Sequence, residues 1–414
     1  MRESDRRRLV EGLCTNLQRT GAGRLRMCHT RRMQGQEPSE YPGALASDAN
    51  RLEQLFGGGD LLPLWIAEPY VPLAEPIRSA IEKRASSGWY GYETRPGSVK
   101  AAFWEWMALR HGWSDEGLTT IVSPSVGTSI GVLINELTGE GDGVIIQPPV
   151  FTDFKPLVAD SARVVVRNPL ILGDNGYRMD VDGLTELTSD ASVRMMILCN
   201  PHNPVGRLWS EEELHSVARI CAENNVMVIA DEIHADLALS PSRFVPFAEA
   251  AKGTEVTWAA THGPIKTFGL AGVCDTLLIT DSSDIAERFK AISNRLHLTR
   301  NNVFAIAAFE TAYREGGDWL DGLLDLIRSN IERLAGGLTG GIEVMPHQAT
   351  YLAWLDFREL GLDVPELARW LAESGLALSP GHWFGREGAG FARMSIATAS
   401  EDIDEAVRRL NLRT

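Results

Sequence analysis

From about residue 75 to about residue 310 the chain alternates short apolar runs with helical patterns, and few architectures accommodate that alternation. TTIVSP (119–124) leads into SVGTSIGVLINELT, whose apolar spacing is helical. DGVIIQPP (142–149) and ARVVVRNP (162–169) read as buried strands, each closed by proline. RMMILCNPHNP and NVMVIADEIH are two more, separated by the helix SEEELHSVARICAENN. That helix opens on Ser210 with Glu213 three residues on, a capping box. Strand, helix and strand at this spacing predict an α/β fold, a parallel or mostly parallel sheet with helices on both faces. In such sheets functional groups collect at the carboxyl ends of the strands. Here those ends read SPSVGT, QPPVF, CNPHNP and ADEIH.

Two amphipathic helices are expected before this region, EPIRSAIEKRASSG (75–88) and SVKAAFWEWMALRHGW (98–113). After about residue 310 the pattern changes. A long helix, GDWLDGLLDLIRSNIERLAGGL, leads to strand candidates in EVMPH and ATYLAWLDF. The helix VPELARWLAESG, the strand FARMSIAT and the helix SEDIDEAVRRL follow, so residues 311–414 read as a smaller α+β domain. Residues 76–310 would form the large domain and residues 41–75 a segment packing with the small one.

The bulk properties narrow the function classes. A chain of 414 residues with 44% hydrophobic and 23% charged residues can bury a large core. Its net charge of −15 argues against a nucleic-acid binder, which carries a basic face. No apolar run is long enough for a transmembrane helix. The five cysteines are scattered with no CxxC pair, which fits reduced thiols in a cytoplasm and neither a disulfide framework nor a zinc site. The first 33 residues differ, with nine arginines against three acids and no signal-peptide core. Residues 1–40 are expected to be a disordered basic arm, or in part sequence upstream of a true start at Met27 or Met33.

Lys266, in THGPIKTFGLAG (261–272), is one of only six lysines, in a chain where arginine is the usual cation. A lysine there suggests an amine that must lose its proton, which arginine, with a pKa above about 12, cannot do. A surface lysine in a loop is the plainer alternative. The strand ends change the balance. Asp231 closes a strand that is otherwise apolar from Val226, and a carboxylate there needs a cation or a helix to cap. Asn200, His202 and Asn203 sit in a proline-punctuated turn that projects amide donors. Phe151 offers an aromatic face after two prolines, and SPSVGTS opens a helix whose first N–H groups suit a phosphate. Phosphate, flat ring, phenolic oxygen, a ring nitrogen that favours its proton, and an aldehyde to meet Lys266 together describe pyridoxal 5′-phosphate.

At these residues the chain resembles fold-type I pyridoxal-phosphate enzymes of the class I/II aminotransferase superfamily. Within them it is most similar to the MalY/PatB group of cystathionine β-lyases and cysteine-conjugate C–S lyases. The similarity spans residues 60–414 or so and is densest in DLLPLWIAE, GWYGYETRPGSVKAAFWEWMALRHGW, GDGVIIQPPVF, CNPHNPVGRLWSEEEL, ADEIHADL and KTFGLAG. The resemblance implies a seven-stranded, mostly parallel sheet between helices. It implies that Lys266 is the Schiff-base lysine and acid/base, that Asp231 pairs with the pyridinium nitrogen, and that Asn203, with His234 nearby, bonds the phenolic oxygen. Phe151 would stack on the ring, Ser125, Val126 and Gly127 would hold the phosphate, and Tyr92 would reach the phosphate of the other subunit in a homodimer with shared sites. Arg393 would grip the substrate carboxylate bidentately, as arginine does and lysine does not.

Two departures stand out. Ile265 and Gly263 occupy positions where relatives carry serine and often another small polar residue, so a hydroxyl contact to the phosphate is expected either to be missing, weakening cofactor affinity, or to be replaced by His262 or Thr261. WIAEPYV (65–71) replaces a WVADMDF-like stretch, with Glu68, Pro69 and Tyr70 in place of acidic, thioether and acidic residues. Because this segment lines the substrate side in the family, Ala67 and Tyr70 are candidate substrate contacts. The expected activity is β-elimination of a cysteine S-conjugate, an amino-acid thioether, to thiol, pyruvate and ammonia. The alternatives are transamination, decarboxylation coupled to oxidative deamination of the same substrate class, and a non-catalytic regulator that binds the cofactor.

Overall fold

In the computed structural model residues 43–298 and 301–414 are described, so the expected basic arm at 1–40 lies outside the described residues. The central sheet has seven strands: β1 (Thr119–Ser123), β2 (Gly143–Ile146), β3 (Val164–Arg167), β4 (Val193–Cys199), β5 (Met227–Asp231), β6 (Trp258–His262) and β7 (Thr276–Thr280). Their spatial order is β1-β7-β6-β5-β4-β2-β3. Only β7 runs antiparallel to its neighbours; the remaining pairings are parallel. The sheet is the one implied by the family resemblance.

Side-chain alternation explains why the inner strands β2, β4 and β5 are mainly apolar. Ile145, Met196, Leu198, Val228 and Ala230 belong to one buried core, while Val144, Met195, Ile197 and Ile229 belong to a second. Successive residues thus enter the cores on opposite faces of the sheet. The register sets Cys199 beside Asp231 and Asp231 beside Thr261, which brings the carboxyl ends of β4, β5 and β6 to one edge. The helix Glu211–Glu223 between β4 and β5 has the expected capping box, with both reciprocal bonds of Ser210 and Glu213 formed.

A second, four-stranded antiparallel sheet is built from β8 (Glu343–Val344), β9 (Leu352–Asp356), β10 (Ser379–Pro380) and β11 (Phe391–Ser395), in the order β8-β9-β11-β10. Helices Gly317–Gly337, Val364–Glu373 and Ser400–Asn411 accompany it. The segment before residue 75 joins this C-terminal part. Leu62–Pro63 pairs in parallel with Leu376–Ala377, and Ser395 N–H donates to the Leu64 carbonyl at 2.8 Å. Helix Val303–Glu315 runs across residue 310 and packs against Glu75–Ser86. Residues 65–71 are thereby carried from the C-terminal sheet to the edge where the strand ends of the central sheet converge.

Candidate active site

The turn after β1 makes an anion cradle. Ser125 caps the helix Val126–Leu137, its hydroxyl accepting from Thr128 N at 3.0 Å. Val126 and Gly127 are the first two helical residues, whose N–H groups have no intrahelical acceptor. This helix terminus forms one wall of a cavity of about 270 Å³. Ala67, Phe151, Asn203, Asp231, His234 and Lys266 form the others, so nine of the expected site residues share one enclosure.

Lys266 lies on a single helical turn, Pro264–Thr267, in the connection between β6 and β7. It is therefore not the exposed loop lysine of the plainer reading. Its Nζ donates to the Ala67 carbonyl at 2.8 Å. Burial, reinforced by the positive charge of Arg393, lowers the pKa of the amine, while Glu68, Asp231 and Asp153 act in the other direction. Asp231 is 5% exposed, and burial raises its carboxyl to about 6 despite donors from Thr261 Oγ1 at 3.0 Å and Ile233 N at 3.3 Å. His234 is held neutral: burial and the charges of Lys266 and Arg393 push its pKa well down, and its Nδ1 is buried with no partner. Phe151 meets Phe154 edge-on at 5.5 Å, which fixes the ring at the cavity wall.

Arg393, on β11, reaches this cavity through Asn203. Its Nη1 donates to Asn203 Oδ1 at 3.0 Å, and its Nη2 to the Trp65 carbonyl at 2.8 Å and to Ser379 Oγ at 3.3 Å. The guanidinium lies 4.8 Å from the Phe384 ring centroid, and burial pulls its pKa down to about 10. Tyr70 is buried nearby, its hydroxyl bonded to the Ile66 backbone and influenced by the charge of Arg393.

Other expected residues are not brought in. Tyr92 is 84% exposed and lies on a surface stretch with Trp89 and Tyr90, outside this cavity. Of the CNPHNP turn, Asn203 faces the cavity. Asn200 bonds the Val245 carbonyl, and His202 bonds the Pro149 carbonyl at 2.9 Å, tying two strand-end motifs together. The expectation that His262 or Thr261 compensates for Ile265 and Gly263 fails. Thr261 is fully buried against Asp231, and His262 Nε2 is paired with Glu232 Oε2 at 2.7 Å. Ile265 itself lines the cavity, so that stretch of wall is apolar.

Sequence reasoning missed Asp153 and Cys199 in the cavity wall and Tyr351 behind it, whose hydroxyl donates to the Ala67 carbonyl at 3.1 Å. Asp153 follows the QPPVF motif by two residues, which was the available signal. Tyr351 comes from β9's entry, far along the chain, and had none.

The donor set fits pyridoxal phosphate. An anion cradle, an aromatic wall, a buried carboxylate, an unpartnered buried imidazole nitrogen and an amine with lowered pKa surround one enclosed space.

Comparison with known proteins agrees with this geometry. The family model for aminotransferase class I and II matches residues 67–410. Cystathionine beta-lyase PatB of Bacillus subtilis is 36% identical over 361 residues, covering 86% of this chain and 93% of that protein. Protein MalY of Escherichia coli is 29% identical, covering 86% and 92%. The crystal structure of cystalysin from Treponema denticola, which contains a pyridoxal 5′-phosphate cofactor, superposes with a TM-score of 0.82 at 27% identity, covering 88% of this chain and 94% of that one.

Proposed function

This chain belongs to the class I and II aminotransferase family, and from that premise we propose that it is a pyridoxal-phosphate-dependent carbon–sulfur lyase. Its reaction is β-elimination of a cysteine S-conjugate to thiol, pyruvate and ammonia. The observation that carries this reading is the convergence of Lys266 and Asp231 on one cavity, with Arg393 bonded to its wall at Asn203.

Bound there, the cofactor supplies an electron sink for the bond broken at the substrate Cα. Ser125, Val126 and Gly127 would hold its phosphate, Phe151 its ring face and Asn203 its phenolic oxygen, with His234 beside it. Asp231 would keep the ring nitrogen protonated. Nζ of Lys266 would anchor the cofactor's aldehyde and, as a free amine, would accept the Cα proton of the substrate. Its lowered pKa favours the neutral amine that this task needs. Arg393 would bind the substrate carboxylate, and Ala67 and Tyr70 would bound the space left for the thioether. The leaving thiolate needs little help from an acid.

The reading extends to a homodimer with shared sites, in which Tyr92 reaches the other subunit's cofactor phosphate. The exposed stretch Trp89, Tyr90 and Tyr92 supports it, because clustered apolar surface marks contact surfaces. Residues 76–310 and 311–414 act in this scheme as large and small domains. No helix of the described residues is long and apolar enough to cross a membrane, and with the buried free thiols of Cys199, Cys221 and Cys274 this supports a cytoplasmic enzyme.

The test is product analysis on the holoenzyme with a panel of cysteine S-conjugates that includes cystathionine. Pyruvate and free thiol in equal amounts, both lost in Lys266→Ala, are expected. A carbonyl product that keeps its C–S bond would replace the lyase by a transaminase, and release of carbon dioxide would point to oxidative decarboxylation.

A further inference from the structure

The end of β5 and the loop that follows it carry three carboxylates within six residues, Asp231, Glu232 and Asp236, and all three are buried. Only Asp231 faces the cavity. Taking a carboxylate out of water is costly unless it is fully hydrogen-bonded, so the other two call for a reason to be there.

Their partners supply one. Glu232 Oε2 pairs with His262 Nε2 at 2.7 Å, and its Oε1 accepts from Phe247 N at 2.6 Å. Asp236 Oδ2 accepts from Thr267 Oγ1 at 2.9 Å, and its Oδ1 accepts from Trp106 Nε1 at 2.8 Å and lies 2.8 Å from His111 Nε2. His262 ends β6 two residues before the turn that bears Lys266, and Thr267 is the last residue of that turn. That turn is one helical revolution, Pro264–Thr267, too short to be held by its own hydrogen bonds. Asp231 makes a third bond of the same kind, to Thr261.

We propose that Glu232 and Asp236 are positioning residues that clasp the two flanks of the Lys266 turn, fixing the amine relative to the loop that presents Asp231 and His234. This rests on the reading of Lys266 as the cofactor-bearing amine. Carboxylate and amine are then referenced to one short piece of backbone, and a displacement of either flank moves Nζ against the substrate Cα. Misplacement of about 1 Å at a reacting group can cost about a hundredfold in rate.

Thr267→Val removes the hydroxyl and keeps the shape, Thr267→Ser restores it, and Glu232→Gln loosens the opposite flank. Holoenzymes are compared by kcat, KM, thermal midpoint and visible circular dichroism of the bound cofactor, the last reporting ring orientation independently of turnover. In Thr267→Val and Glu232→Gln, kcat should fall about tenfold to a hundredfold with KM nearly unchanged, and the dichroism should weaken. Thr267→Ser should recover both. Wild-type kcat and dichroism in the two variants, whatever their melting temperatures, would overturn the clasp and leave Glu232 and Asp236 as contributors to stability alone. If Thr267→Val does not fold, Glu232→Gln decides. If the wild-type cofactor spectrum survives in Lys266→Ala, the reading of Lys266 fails and the clasp fails with it.

Discussion

Arg393 and Asn203, expected to hold the substrate carboxylate and the cofactor's phenolic oxygen, are hydrogen-bonded to each other, Nη1 to Oδ1 at 3.0 Å. The bond orients the Asn203 amide with its oxygen toward the guanidinium, leaving its Nδ2 as the donor for a ring oxygen. The same guanidinium lies 4.8 Å from the Phe384 ring centroid. Lysine cannot make this fork. Arg393→Lys should therefore lower kcat/KM by about a hundredfold, mostly through KM, since a charge-assisted hydrogen bond contributes about 1.5–3 kcal/mol. A decrease confined to kcat would show that Arg393 does not hold the substrate carboxylate.

Asp231 gives a pH signature in the cofactor-free protein. Its folded pKa of about 6 lies above the ordinary 3.8, so between these values the folded state holds the proton more tightly than the unfolded one. Stability from this group increases as pH falls through that window and is lost as pH rises through 6. The difference corresponds to about 3 kcal/mol. Asp231→Asn should be more stable than wild type at pH 7.5 and indistinguishable at pH 4, as read by urea denaturation of cofactor-free protein. The buried neutral His234 works in the opposite sense, losing stability as pH falls below 6.5, but it is present in both proteins. Holoenzyme activity should fall in the same variant. A constant difference across the pH range would remove Asp231 as a strained carboxylate.

Glu68 is half-buried, with its own carboxyl pKa raised by burial and partly restored by Lys266. Its charge in turn raises the pKa of Lys266. Glu68→Gln should leave the amine deprotonated at lower pH, so cofactor capture by the apo protein should persist further into the acid range. The rate of capture against pH measures this. A profile moved toward alkali would contradict the assigned sign.

The apolar wall at Ile265 suggests a gain-of-function test. Ile265→Ser places a hydroxyl on the turn that bears Lys266, and one charge-assisted bond to phosphate should tighten cofactor binding by about tenfold. Weaker binding in an equilibrium dialysis titration would mean that packing by the Ile265 side chain matters more than the added donor.

Much of this site is legible in the sequence because the strand ends carry it. β2, β4 and β5 announce themselves as apolar runs stopped by proline or by Asp231, and parallel strands necessarily bring such stops to one edge. β6 and β7 were not anticipated. WAATH is too short and too rich in alanine to show a period, and TLLIT sits between polar residues that resemble a turn. The ties Glu232–His262 and Asp236–His111 are also silent locally, since their partners lie 30 and 125 residues away. The hint was compositional: three acids in ADEIHAD inside an otherwise apolar stretch. The role of Tyr92 follows from family resemblance alone, and in the single chain its side chain is exposed outside the cavity.

The carbonyls of Trp65 and Ala67 accept from Arg393 Nη2 and Lys266 Nζ in this chain on its own. Both groups are largely buried, and a carboxylate arriving at Arg393 competes with a neutral main-chain dipole rather than with bulk water. A carboxylate wins that contest through its full negative charge, whereas an ester or amide of the same amino acid offers only another dipole. Under the proposed role of Arg393, the strip of backbone from 65 to 67 would favour free amino acids over their capped or peptide-linked equivalents.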